Sequence, residues 1–115
     1  MLFRSLAADP LDGPHTDNGG CPVCEGAITL SGDAVTRNVA YYTVAHASRF
    51  VRPGSVRIDT NSSETLPNVA YKTPNGRHVL IVANTAHAAQ TFQILYHGKA
   101  ITTSLKDGAV ATYVW

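Results

Sequence analysis

The sequence carries little charge, and neither sign dominates. Charged residues make up 15% of the 115 residues, and the formal net charge is +1. Proteins that bind nucleic acid or anionic membranes through electrostatics concentrate basic residues on one surface, and this composition provides no such concentration. We therefore expect no nucleic-acid partner.

Long hydrophobic runs are also missing. The chain has no stretch of about 18 consecutive apolar residues, the length that spans a bilayer, so we expect no transmembrane segment. Its beginning, MLFRSLAADP, has one Arg and a very short apolar patch, which is too little for a secretory signal peptide. The sequence does not assign a cellular compartment.

Cysteine is scarce, with only Cys21 and Cys24, spaced C-x-x-C. One such pair is half of a four-ligand zinc site, and the histidines that could complete it are scattered along the chain. A thioredoxin-like redox pair would open a helix after a strand, whereas glycines on both sides of this pair indicate a loop. We expect a local disulfide, with two reduced thiols as the alternative, and neither a metal nor a cofactor.

Acidic residues are few and lie in predicted loops. The only glutamates are Glu25 and Glu64, too isolated in sequence to indicate the shared, partly buried cleft that an acid/base pair needs. Asp9, Asp12 and Asp17 cluster near the start, but they lack the D-x-D-x-D-G spacing of a calcium loop. We expect solvated charges here and no catalytic residue.

The first half of the chain is predicted to be a long loop followed by one helix. Residues 1–26 are rich in Gly, Pro, Asn and Asp, which favours loop structure, and residues 27–30 could form a short strand. From about Thr36 to Phe50 an apolar face recurs every three to four residues, which predicts a helix that Thr36 or Asn38 caps and that Pro53-Gly54 follows.

Beyond Gly54 the hydrophobic period changes to two. Strands are predicted at 56–59, 69–72, 78–83, 91–96, 99–105 and 109–115, and Asn75-Gly76 suits a tight hairpin turn. Strands at this spacing are typical of an antiparallel β-sandwich. We therefore predict a mainly β fold of five to seven strands over residues 56–115, preceded by one helix and an extended loop.

Two sets of side chains leave a choice between packing and function. His46 lies on the predicted helix face, where a packed, hydrogen-bonded histidine is favoured over a proton shuttle because no carboxylate partner is apparent. The aromatic residues could stack on sugar rings or fill the sandwich core, and the large area that aromatics bury favours the core. They are Tyr41, Tyr42, Tyr71, Tyr96, Tyr113 and Trp115.

Several segments, in this order, resemble the C-terminal part of glycoside hydrolase family 30, the glucosylceramidase and endo-β-1,6-glucanase group. The run His46-Ala47-Ser48-Arg49-Phe50 is similar to the family's G-H-x-S-K-F motif on the last barrel helix. Residues 19–26, GGCPVCEG, resemble the G-G-C-x-x-C-R-G loop of bacterial members, and 66–72, 79–84 and 108–115 resemble sandwich strands.

The resemblance implies that residues 1–52 are the end of a (β/α)8 barrel and that residues 53–115 are the C-terminal β-sandwich. In the parent enzyme, the loop that carries His15, Asn18, Cys21 and Cys24 would edge the substrate cleft. A complete barrel needs about 250 residues and does not fit in this chain.

The departures from the family pattern concern the cleft. Arg4 and Ser5 stand where the family has Trp and Asn, and Glu25 replaces the Arg after the second Cys. The acid/base and nucleophile glutamates of the family lie on earlier barrel strands. The resemblance therefore implies a non-catalytic part of a retaining β-glycosidase, whose parent barrel would bind a β-glucan or another β-glucoside and whose location could be secreted or extracytoplasmic.

A self-standing carbohydrate-binding β-sandwich module is the alternative function for this chain.

Without a barrel, the apolar face of the helix and an unpaired strand edge would be exposed, so we expect a marginally stable chain that associates with itself.

Overall fold

The computed structural model describes residues 6–13 and 24–115, which fall into two compact units within 1–45 and 46–115. The elements of the first unit are β1 (Ala7–Ala8), β2 (Ile28–Ser31), β3 (Ala34–Arg37) and the start of α1 (Val39–Phe50). The elements that follow α1 are β4 (Val56–Ile58), β5 (Asn68–Lys72), β6 (His78–Ala83), β7 (Gln90–Tyr96), β8 (Lys99–Leu105) and β9 (Val110–Val114).

The first unit contains a small sheet in the order β1-β2-β3. β1 runs parallel to β2, and β3 returns antiparallel to β2 across the turn at Gly32. Gly26 allows the close approach of β1, because a Cβ at this position would lie 2.8 Å from the backbone nitrogen of Ala8. The glycine is therefore a steric requirement of this pairing.

Two predictions for this part of the chain are wrong in detail. Residues 7–8 form a strand inside the predicted 1–26 loop, because they pair with β2, which is 20 residues away. Thr36 lies in β3 and not in the helix, since its pairing with Thr29 extends the hairpin. The helix begins at Val39, and the Asn38 amide just before it donates to the carbonyl of Gly26 and to Thr29 Oγ1.

A four-stranded antiparallel sheet, in the order β4-β5-β6-β9, forms the larger layer of the second unit. β5 and β6 form the predicted hairpin, and Gly76 takes the positive φ of 83° that its turn requires. The central strand β6 is buried on both faces, as its uninterrupted apolar sequence predicted: Val79 points to one face, and Leu80 and Val82 point to the other.

The second layer is the hairpin of β7 and β8. His97 and Gly98 connect the two strands in a two-residue turn with φ of 46° and 76°, the positive values of the turn type whose twist matches a hairpin. Along β7, half-buried and exposed residues alternate strictly, so Phe92, Ile94 and Tyr96 face the four-stranded sheet.

The core lies between these two layers. Its buried residues are Ala70, Leu80, Val82 and Leu105, and partly buried side chains from both sheets pack around them. Rings also bridge the layers: Phe92 meets Tyr113 edge to face at 6.0 Å between centroids, and the Tyr113 hydroxyl lies 3.3 Å from Thr103 Oγ1. Six strands and two facing antiparallel sheets confirm the predicted β-sandwich.

Asn84, only 2% exposed, joins three separate segments of this unit. Its side-chain nitrogen donates to the carbonyls of Ala88, Leu105 and Lys106, and its Oδ1 accepts from the amide of Ala86. The end of β6, the loop before β7 and the turn after β8 are therefore connected by one amide group.

Within the described residues, no helix is long and apolar enough to cross a membrane. The division into a barrel-derived part at 1–52 and a sandwich at 53–115 stays a prediction.

Replacing Asn84 with Ala should destabilise the chain by about 1–3 kcal/mol, because the buried carbonyl of Leu105 loses its donor and the partly buried bonds to Ala88 and Lys106 are lost as well. Urea unfolding followed by tryptophan fluorescence measures this loss. The control is Asn61→Ala at an exposed position, which should change stability by less than about 0.5 kcal/mol. Equal effects of the two substitutions would contradict the role assigned to Asn84.

Candidate functional site

The loop predicted to edge a substrate cleft lies mostly outside the described residues. His15, Asn18 and Cys21 belong to residues 14–23, so their cleft-edge role stays a prediction. Cys24 opens the second described range, is half-buried and is not a free thiol. Its pairing with Cys21 likewise stays a prediction.

Just before this loop in the chain, the Asp9 carboxylate holds residues 9–13 together through hydrogen bonds. Its Oδ1 accepts from the backbone amides of Leu11 and Gly13, each at 2.8 Å, and the Asp9 amide donates to the Gly13 carbonyl at 3.0 Å. This carboxylate serves a turn, as short acidic side chains commonly do. Among the described residues, no three metal-ligating side chains gather at one place.

The two glutamates are both exposed. Glu25 follows Cys24 in the first unit, and Glu64 lies between β4 and β5 in the second. Retaining glycoside hydrolysis needs two carboxyl groups about 5 Å apart with one kept protonated by its surroundings. Both glutamates are exposed, so neither lies in an enclosed cleft of this kind.

His46, near the end of α1, makes a structural hydrogen bond. Its Nδ1 lies 2.8 Å from Thr112 Oγ1 on β9. Thr112 is opposite Ile81 and therefore shares the face of the four-stranded sheet that points away from β7 and β8. The histidine joins the end of the helix to that face, while Ser48, two residues on, is exposed.

One concave feature among the described residues of the second unit is a groove beside β7, with a volume of about 510 Å³. Its floor is formed by core side chains of β5 and β6, namely Ala70, Leu80 and Val82. Strand β7 forms one wall through residues 92–96, and the end of β4 with the loop at 59–63 forms the other. We refer to it as the β7 groove.

Three aromatic residues stand together at one end of the β7 groove. His78 stacks on Trp115 with 5.7 Å between ring centroids, and the Tyr96 hydroxyl lies 3.0 Å from His78 Nε2. Backbone hydrogen bonds in both directions between His78 and Trp115 hold the indole in place. These rings pack against one another, but Trp115 remains 39% exposed, and Tyr41 and Tyr42 on α1 are 36% and 55% exposed. These three aromatic residues therefore do not lie in the sandwich core.

The sequence did not reveal the β7 groove. Its lining comes from five separate stretches of chain, and it exists because a two-stranded layer faces a four-stranded one. No local pattern reports the order of strands in a sheet. The arrangement provides a surface for binding, and the described residues that line it include no paired carboxylates and no nucleophile–base pair.

Comparison with known proteins agrees with this architecture. Residues 54–113, more than half of the chain, match the family model described as glycosyl hydrolase family 30 beta sandwich domain. The chain is 33% identical over 87 residues to endo-1,6-beta-D-glucanase neg1 of Aspergillus fumigatus, an alignment that covers 70% of this chain and 18% of that protein.

Two solved structures are similar over almost the whole chain. The endo-beta1,6-glucanase BT3312 superposes with a TM-score of 0.83 at 25% identity, and SrfJ from Salmonella typhimurium superposes with a TM-score of 0.87 at 26% identity. Each match covers 96% of this chain and about a quarter of the other one. The chain thus spans roughly a fifth to a quarter of the length of these relatives, and with its sandwich at residues 54–113 it belongs to glycosyl hydrolase family 30.

Proposed function

We propose that this chain is the non-catalytic β-sandwich part of a retaining endo-β-1,6-glucanase. The observation that carries the proposal is the family match over residues 54–113 together with the exposure of both glutamates. A sandwich without an enclosed pair of carboxyl groups can support a catalytic barrel, but it cannot perform the double displacement of a retaining glycosidase.

The substrate class follows from the relatives. Two of them, neg1 and BT3312, are named endo-1,6-β-glucanases. We infer that the parent enzyme acts on β-1,6-glucan rather than on glucosylceramide, and that the polysaccharide binds to the barrel of that enzyme.

A chimera tests this function. Residues 54–113 of this chain replace the matching sandwich of the Aspergillus fumigatus relative, and release of reducing ends from linear β-1,6-glucan is measured. The chimera should keep its activity within about tenfold of the parent, a cost of about 1.4 kcal/mol in activation free energy. The isolated chain should release no reducing ends.

Matched variants of the chimera test whether the sandwich stabilises the barrel or is only attached to it. The same chimera with Asn84→Ala should lose thermal stability and activity together, whereas Asn61→Ala should leave both unchanged. Hydrolysis by the isolated chain at enzymatic turnover would overturn the proposal. Saturable binding of β-1,6-glucan oligosaccharides by the isolated chain would instead favour a self-standing carbohydrate-binding module.

We also propose that the isolated chain associates with itself. On α1, Val39 is 70% exposed and Tyr42 is 55% exposed, which places large apolar groups in water where a barrel would cover them. Within the described residues, the outer edge of β9 pairs with no strand, and its sequence VATYV carries no charge. Exposed apolar side chains and uncharged edges both favour association.

Changing both Val39 and Tyr42 to Glu should therefore reduce self-association. Sedimentation velocity over a tenfold range of concentration should show a rising average mass for the unmodified chain and a nearly constant mass for the double variant. Ser48→Glu, on the same helix and already exposed, is the charge control. A chain that stays monomeric and melts sharply and reversibly at high temperature would argue against this proposal.

A further inference from the structure

The loop between β4 and β5 carries a sequence that enzymes modify. Residues 59–63 read Asp-Thr-Asn-Ser-Ser, so Asn61 is followed two residues later by the hydroxyl of Ser63. Asn-x-Ser/Thr, with any residue except proline in the middle, is the acceptor signal for N-linked glycosylation. No other asparagine of the chain is followed at this spacing by Ser or Thr. Because so short a signal also occurs by chance, the surroundings of Asn61 decide whether it can be used.

The loop presents this signal to solvent. All residues from 59 to 65 are exposed, and none of them belongs to a helix or a strand. An N-glycan is a bulky, hydrophilic group that surface loops carry. A continuous exposed stretch of this kind gives a glycan room to extend into water.

The side-chain amide of Asn61 is also chemically available. Its backbone carbonyl accepts from Asn68 Nδ2 at 2.8 Å, which fixes the position of the residue. Within the described part of the chain, however, the side-chain nitrogen of Asn61 donates no hydrogen bond. The side-chain nitrogens of Asn38, Asn68 and Asn84 all donate to carbonyls, and the side-chain oxygen of Asn75 accepts from a threonine hydroxyl. A sugar attached to Asn61 Nδ2 would therefore break no hydrogen bond of the fold.

The state of Cys24 indicates a compartment in which such a modification takes place. Cys24 is disulfide-bonded. Disulfides form and persist in oxidising surroundings, such as the lumen of the endoplasmic reticulum and the bacterial periplasm. N-glycans are transferred to proteins in the same two compartments. Export of the chain into one of them would account for both features.

We propose that Asn61 is the acceptor of an N-linked oligosaccharide. The donor is an oligosaccharide linked through a diphosphate to a polyprenyl lipid, and an oligosaccharyltransferase catalyses the transfer. A bond forms between Asn61 Nδ2 and the anomeric carbon of the first sugar, while the bond from that carbon to the diphosphate oxygen breaks. The lipid diphosphate leaves with the electron pair of that bond, and the amide nitrogen loses one proton. The proposal does not depend on glucan hydrolysis, because the acceptor lies in the sandwich.

Asp59 gives the acceptor segment a second feature for recognition. A peptide bound in an extended form presents alternate side chains on the same side, so Asp59, Asn61 and Ser63 would face the transferase together. An exposed carboxylate two residues before the acceptor can pair with a basic group of the enzyme. A bacterial transferase that requires an acidic residue at this position would therefore accept the segment, and so would a eukaryotic transferase that does not require it.

The test uses the full chain, secreted from yeast and, separately, exported to the periplasm of a bacterial strain that carries an oligosaccharyltransferase and its lipid-linked donor. Intact-protein mass spectrometry should show the added mass of the host's glycan, and fragmentation of the peptide should place it on Asn61. Asn61→Gln should abolish the added mass in both hosts. Ser62→Ala is the matched control, because it leaves the signal intact and should keep the glycan.

Two further substitutions test the neighbours of Asn61. Ser63 Oγ accepts from the Leu66 amide at 3.0 Å, and Ser63→Thr keeps this hydroxyl, so the glycan should persist. Asp59→Asn should lower transfer in the bacterial host at least about tenfold, the loss expected when a charge-assisted hydrogen bond is removed. In yeast the same variant should be modified as fully as the unmodified sequence.

An added mass that is missing in both hosts, or that persists in Asn61→Gln, would overturn the proposal. Equal transfer to Asp59→Asn in the bacterial host would overturn the role of Asp59. Circular dichroism checks that every variant folds. In the bacterial cytoplasm no such transfer takes place, and the Asn61→Ala control of stability applies to the chain made there.

Discussion

The sandwich depends on the amide of Asn84 because that group joins segments that regular hydrogen bonding leaves apart. The two layers are separate sheets, and no backbone ladder connects them. Asn84 ends β6 in one layer, and its side chain holds the carbonyls of Leu105 and Lys106 at the end of β8 in the other. The backbone amide of Asn84 also donates to the Ala109 carbonyl, just before β9. A buried amide with these partners fixes where the chain leaves one sheet and enters the other.

The unequal size of the layers then accounts for the accessible core. Four strands present more apolar surface than two strands cover, and Leu80 and Val82 on β6 therefore form both the core and the floor of the β7 groove. Rings from β6, β7 and β9 close the remainder: Tyr96 packs against His78, and Phe92 against Tyr113. The groove thus follows from the strand numbers of the two layers, with the loop at 59–63 as its second wall.

Much of the fold could be read from the sequence because its signals are local. Asn75-Gly76 predicted a hairpin turn, and Gly76 takes the positive φ that this turn needs. The six strands after Gly54 followed from the period of two. The parallel strand β1 could not be predicted, because two alanines carry no pattern and their partner lies 20 residues away. Strand β3 was not predicted for a similar reason. All four of its residues are exposed, so they show no alternation of buried and exposed positions.

The candidate sites differ in the same way, since some features follow from local sequence and others depend on distant residues. The role of Asn84 depends on carbonyls 21 and 22 residues further along the chain. No sequence pattern near position 84 predicts this role. The β7 groove depends on which strands are neighbours. By contrast, the low number of glutamates was visible at once, and the exposure of Glu25 and Glu64 agrees with their reading as solvated loop charges.

The charged residues on the outer strands indicate which edges of the sandwich are suited to face water and which are suited to be covered. Each of the two sheets of the sandwich has two outer strands in the described chain, and one outer strand of each carries a cation: Arg57 on β4 and Lys99 on β8. Charged residues, lysine above all, are a common means of keeping edges from pairing. β7 and β9 have no such residue. The two protected edges are suited to remain in water, whereas the two uncharged edges are suited to be covered in the complete enzyme.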